Sequence, residues 1–312
     1  MKTSLVLSTY NGEKYILDQM ESLKNQTHPI DEVLIFDDCS TDNTLAIVTQ
    51  YIEENHLYNW KIEQNKENIG WRKNFIYGIR KCSGDIIFIC DQDDIWMPEK
   101  VEQMSDIMED TPAIGLLASA YTKFYSDGET TPSPRKISEN SIENKKPKKI
   151  FLPNNILNVP YPGCTYCIRK SFFEECSSYW LETCPHDAFL WRSAAVLDCL
   201  YILEEPLILW RKYPTSSWQK ERHTVSRQSE RNWRLLEEAE LKELQTFSQD
   251  KLCSSKTKSI IDENLKWCQL RKHFVTNRNI IDGFLLAKYR KQYLNFRQYL
   301  KDWLIAFSIY RK

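Results

Sequence analysis

The residues best suited to chemistry are carboxylates gathered at the ends of short apolar runs. Asp91-Gln92-Asp93-Asp94 puts three carboxylates within four residues, directly after the apolar run Ile86-Ile87-Phe88-Ile89. Like charges at that spacing repel unless a cation compensates. Hard divalent ions such as Mg2+ and Mn2+ take oxygen ligands, and Mg2+ is commonly shared between one or two carboxylates and substrate phosphates. An ion held there acts as a Lewis acid on a departing diphosphate. The plainer alternative is an acidic loop that only favours the start of the helix after Met97-Pro98. A second pair, Asp37-Asp38, follows another apolar run. A carboxylate there can accept from a ribose hydroxyl or a base N–H. It can equally cap the following helix, as can Ser40. Cys164-x-x-Cys167, followed by Cys176 and Cys184, has some features of a zinc site, but its second pair is widely spaced. Reduced thiols are the expectation for all ten cysteines.

These clusters need a frame that brings them together. Up to about residue 120, short apolar runs alternate with helical patterns. Strands are predicted over 4–8, 33–37, 60–63 and 85–90, and helices over 13–25, 41–54 and 71–81. That order predicts an α/β fold with a mostly parallel sheet and helices on both faces. In such sheets ligands bind beyond the carboxyl ends of the strands. The polar clusters fall there: Ser8-Thr9-Tyr10-Asn11-Gly12, Asp37 to Asp42, Asn65 to Gly70, and Asp91 to Asp94. Residues 126–149, with Pro132, Pro134 and Pro147, are expected to form a loop or flap. Structure should resume over 163–169, with helices over 171–178 and 186–195 and strands over 200–203 and 207–211.

From about residue 227 the pattern turns helical. Leu285, Tyr289, Tyr293, Phe296, Leu300, Trp303 and Phe307 form one apolar stripe at the helix period, with Lys288, Lys291, Arg297 and Lys301 on other faces. Such a helix can pack on the body, join a second subunit in a homodimer, or lie on anionic lipid. Net charge is −1, but residues 266–312 carry eleven Lys/Arg against two Asp/Glu, so the rest of the chain is acidic. A basic tail suits an anionic partner. Met1-Lys2-Thr3 leads straight into a strand pattern, and no stretch approaches the length of a membrane span. The expectation is a cytoplasmic protein, with residues 284–312 as a peripheral contact at the inner membrane face.

The motifs Ser-Thr-Tyr-Asn-Gly-Glu-Lys-Tyr (8–15), Asp-Asp-Cys-Ser-Thr-Asp-Asn-Thr (37–44), Asn68-x-Gly70 with Asn74, and Asp-Gln-Asp-Asp-Ile-Trp-x-Pro-x-Lys (91–100) resemble those of family-2 glycosyltransferases. With the later His186-Asp187, they resemble the bacterial rhamnosyltransferase-like branch that builds cell-surface polysaccharides. The resemblance covers roughly residues 1–215. It implies a GT-A fold (1–120 for the nucleotide-sugar, 121–220 for the acceptor) and a helical extension over 221–312. It also implies an inverting, metal-dependent transfer from a donor such as dTDP-rhamnose or a UDP-sugar to a glycan or lipid-linked acceptor. On this resemblance Thr9, Tyr10 and Glu13 border the nucleotide, and Asn68, Gly70 and Asn74 belong to the donor side. Asp38 holds the base or ribose. Asp91 and Asp93 hold Mn2+ or Mg2+, with Asp93 the more direct ligand, and Arg211 pairs with diphosphate. Asp187 is the general base, where its plain reading is an N-cap. The sequence departs from the family at Cys39, where glycine is usual, and at Trp210-Arg211-Lys212-Tyr213, where related rhamnosyltransferases carry Tyr-Arg-Gln-His.

A nucleotidyltransferase of similar fold also uses acidic metal loops, but it wants a glycine-rich, basic first loop that Thr9 to Glu13 does not supply. A nucleic-acid-binding protein is suggested by the basic aromatic tail. The acidic body and the strand-end carboxylates argue against that partner.

Overall fold

The computed structural model describes residues 1–125, 146–213 and 227–307. Most of the expected flap, 126–145, and the expected domain junction at 220 lie outside the described residues.

The first half folds as the alternation of patterns predicts. Strands β1 (Thr3–Thr9), β2 (Glu32–Asp37), β3 (Trp60–Gln64) and β4 (Ile86–Cys90) run parallel in the order β3-β2-β1-β4. Helices α1 (Ile16–Lys24), α2 (Thr44–Glu54) and α3 (Trp71–Lys81) make the crossovers. Every residue of β4 is buried, as its unbroken apolar run requires of a strand covered on both faces. Side chains alternate across the sheet, so Val6, Phe36 and Ile87 enter one core while Leu5, Ile35 and Phe88 enter the other.

Beyond β4 the sheet is mixed. A short β5 (Ile95–Trp96) and α4 (Lys100–Asp110) precede a long β6 (Leu116–Tyr125) and a two-residue β7 (Lys148–Lys149). Then come β8 (Tyr166–Arg169), α5 (Lys170–Cys176), α6 (His186–Val196) and β9 (Leu200–Lys212). β8 is antiparallel to both β4 and β6, β9 is parallel to β6, and β5 pairs antiparallel with β9. The predicted strands 200–203 and 207–211 are therefore one strand. The apparent break is the Glu204-Glu205-Pro206 stretch, where β9 slips register against β6 yet continues. This continuity carries the end of β9 to the acidic loop between β4 and β5.

Two predicted helix starts lie too early. A turn at Gly12, whose carbonyl accepts from the backbone N–H groups of Tyr15 and Ile16, delays α1. The second helix begins at Thr44 rather than Thr41, because Ser40 turns inward to Asp37 instead of capping it.

The chain ends in helices α7 (Arg227–Asp250), α8 (Ser255–Asn277), α9 (Ile280–Leu285) and α10 (Phe296–Ala306). Leu241, Leu244, Phe247, Ile261 and Leu265 of the α7–α8 hairpin complete the core on one face of the sheet. α9 and α10 instead pack on α8 through a small core of Trp267, Phe274, Leu286, Tyr293 and Ile305. The continuous stripe expected from Leu285 to Phe307 is not formed. A 3-10 turn over Leu286–Tyr289 and the segment before Phe296 break it. Tyr293 points into the small core, while Phe296 and Leu300 are exposed.

Candidate active site

The carboxyl ends of β1, β2 and β3 are knitted together by buried polar side chains. Asp37 accepts from Thr9 Oγ1 at 2.9 Å, Ser40 Oγ at 2.5 Å and Gln64 Nε2 at 3.1 Å. Asp38 is buried, and its carboxylate accepts the backbone N–H groups of Ile69 and Gly70, both at 2.8 Å, and Asn65 Nδ2 at 2.9 Å. It thus fixes the loop after β3. Gly70 sits at φ 84°, a conformation that glycine adopts freely and side-chain-bearing residues rarely do. Asn68 donates to the Asp38 carbonyl. Asn74 is fully buried and donates to Ser8 Oγ and the Phe36 carbonyl, tying α3 to the ends of β1 and β2. Thr9 is buried as well. Tyr10 and Glu13 face outward, with Glu13 accepting from the Asn43 backbone and amide. Among the donor-side residues named from the sequence, Thr9, Asp38, Asn68 and Asn74 therefore build the loops, and Tyr10 and Glu13 lie on their surface. Cys39, at the family's glycine position, adopts φ 63°.

The acidic loop leaves β4 and is held from two sides. Gln92 clamps the first loop: its Oε1 accepts from Tyr10 N–H at 2.8 Å and its Nε2 donates to the Tyr10 carbonyl at 3.0 Å. The end of β9 holds the rest. Arg211 N–H donates to Asp94 Oδ1 at 3.0 Å, its Nε to the Asp93 carbonyl at 2.7 Å, and its Nη2 to Asp18 at 2.9 Å. The guanidinium lies between the Tyr15 and Phe124 rings. Arg211 is thus engaged in fixing the loop, and these contacts do not display the diphosphate-pairing role that the family resemblance implies. Tyr213, standing where related rhamnosyltransferases carry histidine, donates its hydroxyl to Asp93 Oδ2 at 2.5 Å.

One oxygen of Asp91, one of Asp94 and Cys164 Sγ lie within 4.8 Å of one another. Asp94 is fully buried, and its Oδ2 has no hydrogen-bond partner among the described residues. Burial, then the charges of Asp93 and Asp187, push the Asp91 carboxyl up to about 7. Burial and its acidic neighbours raise Asp94 well above the ordinary range, and burial raises Asp93. Crowded, poorly solvated carboxylates with an orphan oxygen fit a hard divalent cation, which removes the mutual repulsion. Cys164 is held firmly as a thiol by burial and the nearby carboxylates, so its contribution is an S–H donor. Two lysines face this cluster. Lys212 has its ammonium over the Trp210 ring, and burial lowers it to about 8. Lys100 is fully buried behind the loop, over Trp96, and burial brings it likewise to about 8.

Asp187 lies in the first turn of α6, whose N-cap is Pro185, so the N-cap reading of Asp187 is not met; its Oδ1 accepts the N–H of the next residue, Ala188, at 2.7 Å. Burial raises its carboxyl above the ordinary range. Asp187 is also one of the charges that raise Asp91, so the two carboxylates lie near enough to interact. Gly163 lets this happen: a Cβ there would lie 2.5 Å from His186 Nε2 and 3.2 Å from Asp187 Cβ. His186 stacks on Phe75 at 4.0 Å, and burial keeps it neutral, at about 3. The four cysteines of the zinc reading are split. Cys164 and Cys167 join one core and Cys176 and Cys184 the other, on opposite faces of the sheet, so they hold no common ion.

Gln92, Lys212, Tyr213 and Cys164 join this site although the sequence motifs do not assign them to it. Lys212 and Tyr213 directly follow Arg211, so a β9 extended past Arg211 signals them. Nothing in the sequence marks Gln92 as a clamp on Tyr10.

Residues 4–176 match the model of a family described as Glycosyl transferase family 2. The dTDP-rhamnosyl transferase RfbG of Shigella flexneri is 30% identical over 219 residues, which span 66% of this chain and 71% of that one. The crystal structure of S. aureus TarS in complex with UDP-GlcNAc superposes with a TM-score of 0.63 at 22% identity, covering 98% of this chain and 79% of that one. The mannosyltransferase PcManGT of Pyrobaculum calidifontis, solved with GDP-Man and Mn2+, superposes with a TM-score of 0.53 at 14% identity, covering 98% and 85%. At these identities the two structures speak to the fold, which is GT-A.

Proposed function

Because the chain belongs to glycosyl transferase family 2, we propose that it moves one sugar, with inversion, from a nucleoside-diphosphate donor to a glycan or lipid-linked acceptor in the synthesis of a bacterial surface polysaccharide. The observation that carries this reading is the close grouping of buried Asp94 and Asp91, with Asp93 beside them in the same loop and the charge of Asp187 acting on Asp91. Asp91, Asp93 and Asp94 would hold Mn2+ or Mg2+, which when bound supplies Lewis-acid stabilisation of the diphosphate leaving group. The loops around Tyr10, Glu13 and Asp38 border the nucleotide, with Asn68, Gly70 and Asn74 keeping them in shape. Arg211 and Tyr213 hold the acidic loop, and Lys212 is placed to meet phosphate charge from β9.

Asp187 takes the proton of the acceptor hydroxyl as that oxygen bonds to the anomeric carbon. The bond from the anomeric carbon to the diphosphate oxygen breaks on the opposite face, which inverts the centre. Tyr121, Tyr161 and Trp210 form a partly exposed aromatic group, suited to stack on the sugar ring of the acceptor. Residues 1–120 serve the donor, 121–220 the acceptor, and 221–312 form the extension. The similarity to a dTDP-rhamnosyl transferase supports dTDP-rhamnose as the first donor to try, with UDP-sugars next. A lipid-linked acceptor places the enzyme in the cytoplasm, at the inner face of the membrane. Among the described residues, no helix is long and apolar enough to cross a membrane.

The test is a panel of nucleotide sugars with and without Mn2+, read as release of nucleoside diphosphate. Metal-dependent release from one donor supports the reading. Release of pyrophosphate from a nucleoside triphosphate and a sugar phosphate would instead identify a nucleotidyltransferase.

A further inference from the structure

The outer face of α9 and α10 carries an apolar surface that the fold leaves uncovered. Ile281, Phe284 and Phe296 are 68%, 67% and 69% exposed, with Ile280, Leu294 and Leu300 also open. The two helices form one continuous surface. Phe284 packs against Trp303 at 5.4 Å between ring centroids, and Trp303 stacks on Phe307 at 6.0 Å. Tyr299 donates to the Gly283 carbonyl, which fixes α10 against α9. Phe296, Leu300, Leu304 and Phe307 recur at three- and four-residue steps, so they share one side of α10.

The charge around this surface has a single sign. Residues 278–307 contain six Lys/Arg and two acids, Asp282 and Asp302. Both acids are turned inward. Asp302 is fully buried against Arg271, Arg234 and Tyr293, and Asp282 is buried and paired with His273 Nδ1. Arg278, Lys288, Arg290, Lys291 and Arg297 all remain exposed. Glu263 of α8 reaches the region only at its border, through Gln292. An exposed aromatic and aliphatic surface ringed by cations, with its acids buried, matches the chemistry of a membrane carrying anionic phospholipid. A second copy of the same cationic face would meet like charge.

We propose that the outer face of α9 and α10 docks on anionic phospholipid, with Phe284, Phe296 and Leu300 entering the headgroup boundary. Arg278, Lys288, Arg290, Lys291 and Arg297 contact the lipid phosphates. This inference deepens the peripheral position proposed above and rests on it. It names the face and the side chains that enter the lipid, which the apolar stripe in the sequence could not give, because that stripe is broken.

The test is sedimentation of the full chain with vesicles of phosphatidylcholine alone, or of phosphatidylcholine mixed with phosphatidylglycerol. No donor is present, so failure here is distinct from failure of the glycosyltransfer reading, which donor turnover in solution tests. Binding is expected to phosphatidylglycerol vesicles only, and to weaken with added salt. The combined variant Lys288→Glu, Arg290→Glu, Lys291→Glu is expected to weaken it by about a hundredfold. Phe284→Ser, Phe296→Ser, Leu300→Ser together should weaken it by about tenfold or more. Both variants should keep donor turnover, and the charge variant, whose side chains are all exposed, should also keep the wild-type melting point. Equal binding to both vesicle types, no binding to either, or a dimer in solution that the same substitutions dissociate would overturn the proposal.

Discussion

Asp187 is asked by the proposed reaction to serve geometry and chemistry together. It bonds within the first turn of α6, its carboxyl is raised by burial, and its charge acts on Asp91. Asp187→Asn keeps the helix start and removes the proposed base. The expected outcome is a fall in kcat of about 10²–10⁴ with donor affinity unchanged. A raised pKa means that the base is lost by protonation as pH falls, and earlier than for an ordinary carboxylate near 3.9. The acid limb of the kcat profile should therefore lie above that value in wild type and vanish in Asp187→Asn. Cys39 tests a departure from the family. An L-residue at φ 63° is strained, so Cys39→Gly should stabilise the protein by about 1 kcal/mol, read as a melting point about 2–4 °C higher. At this scale the types and spacing of the acidic residues were legible from the sequence. Which atoms of Asp38, Asn74 and Arg211 are already engaged was not, because their partners lie on other strands and helices.

Elements decide where those residues meet. β4 and α3 were legible because an unbroken apolar run and a clean helical period are local signals. The single β9 was not, because its two acids and Pro206 look like a turn, and only pairing with β6 shows that the strand continues. The outer helices are fixed by another long-range feature, the buried group of Asp302 with Arg271. Arg271 donates to both Asp302 oxygens, at 2.7 and 2.9 Å, and Tyr293 donates to one of them. Asp302→Asn removes the carboxylate that Arg271 and Arg234 share, leaving Glu237 as their remaining acidic partner, and should destabilise the α8–α10 packing by about 3 kcal/mol in a denaturant titration. Burial opposes ionisation of Asp302, but Arg271 and Arg234 hold its carboxyl below the ordinary range. Its stabilising contribution is therefore present above about pH 3.9 and lost as pH falls through the lower folded value. Acid titration followed by circular dichroism should show this loss in wild type, and a smaller one in Asp302→Asn.

Across the whole molecule, the parallel half of the sheet supplies the loops proposed to border the nucleotide, and the mixed half brings the end of β9 to the acidic loop that follows β4. The helical extension is not an independent appendage. The α7–α8 hairpin shares a core with α6 and the sheet. A chain ending at residue 220 should expose that apolar face and be recovered mainly as aggregate, as judged by size-exclusion chromatography. The charge asymmetry of the tail was visible in the sequence, whereas the shared core was not, since the 3.6-residue period does not say what a helix packs against. The central claim is a metal-dependent nucleoside-diphosphate site on Asp91, Asp93 and Asp94. Its most direct test is the melting point of wild type and Asp93→Ala with UDP or dTDP, each with and without Mn2+. Ligand at about a hundred times its Kd stabilises by about 2.7 kcal/mol. The account predicts a rise in wild type that needs the metal and disappears in Asp93→Ala. No metal-dependent rise with either nucleotide, or the same rise in the variant, would contradict it.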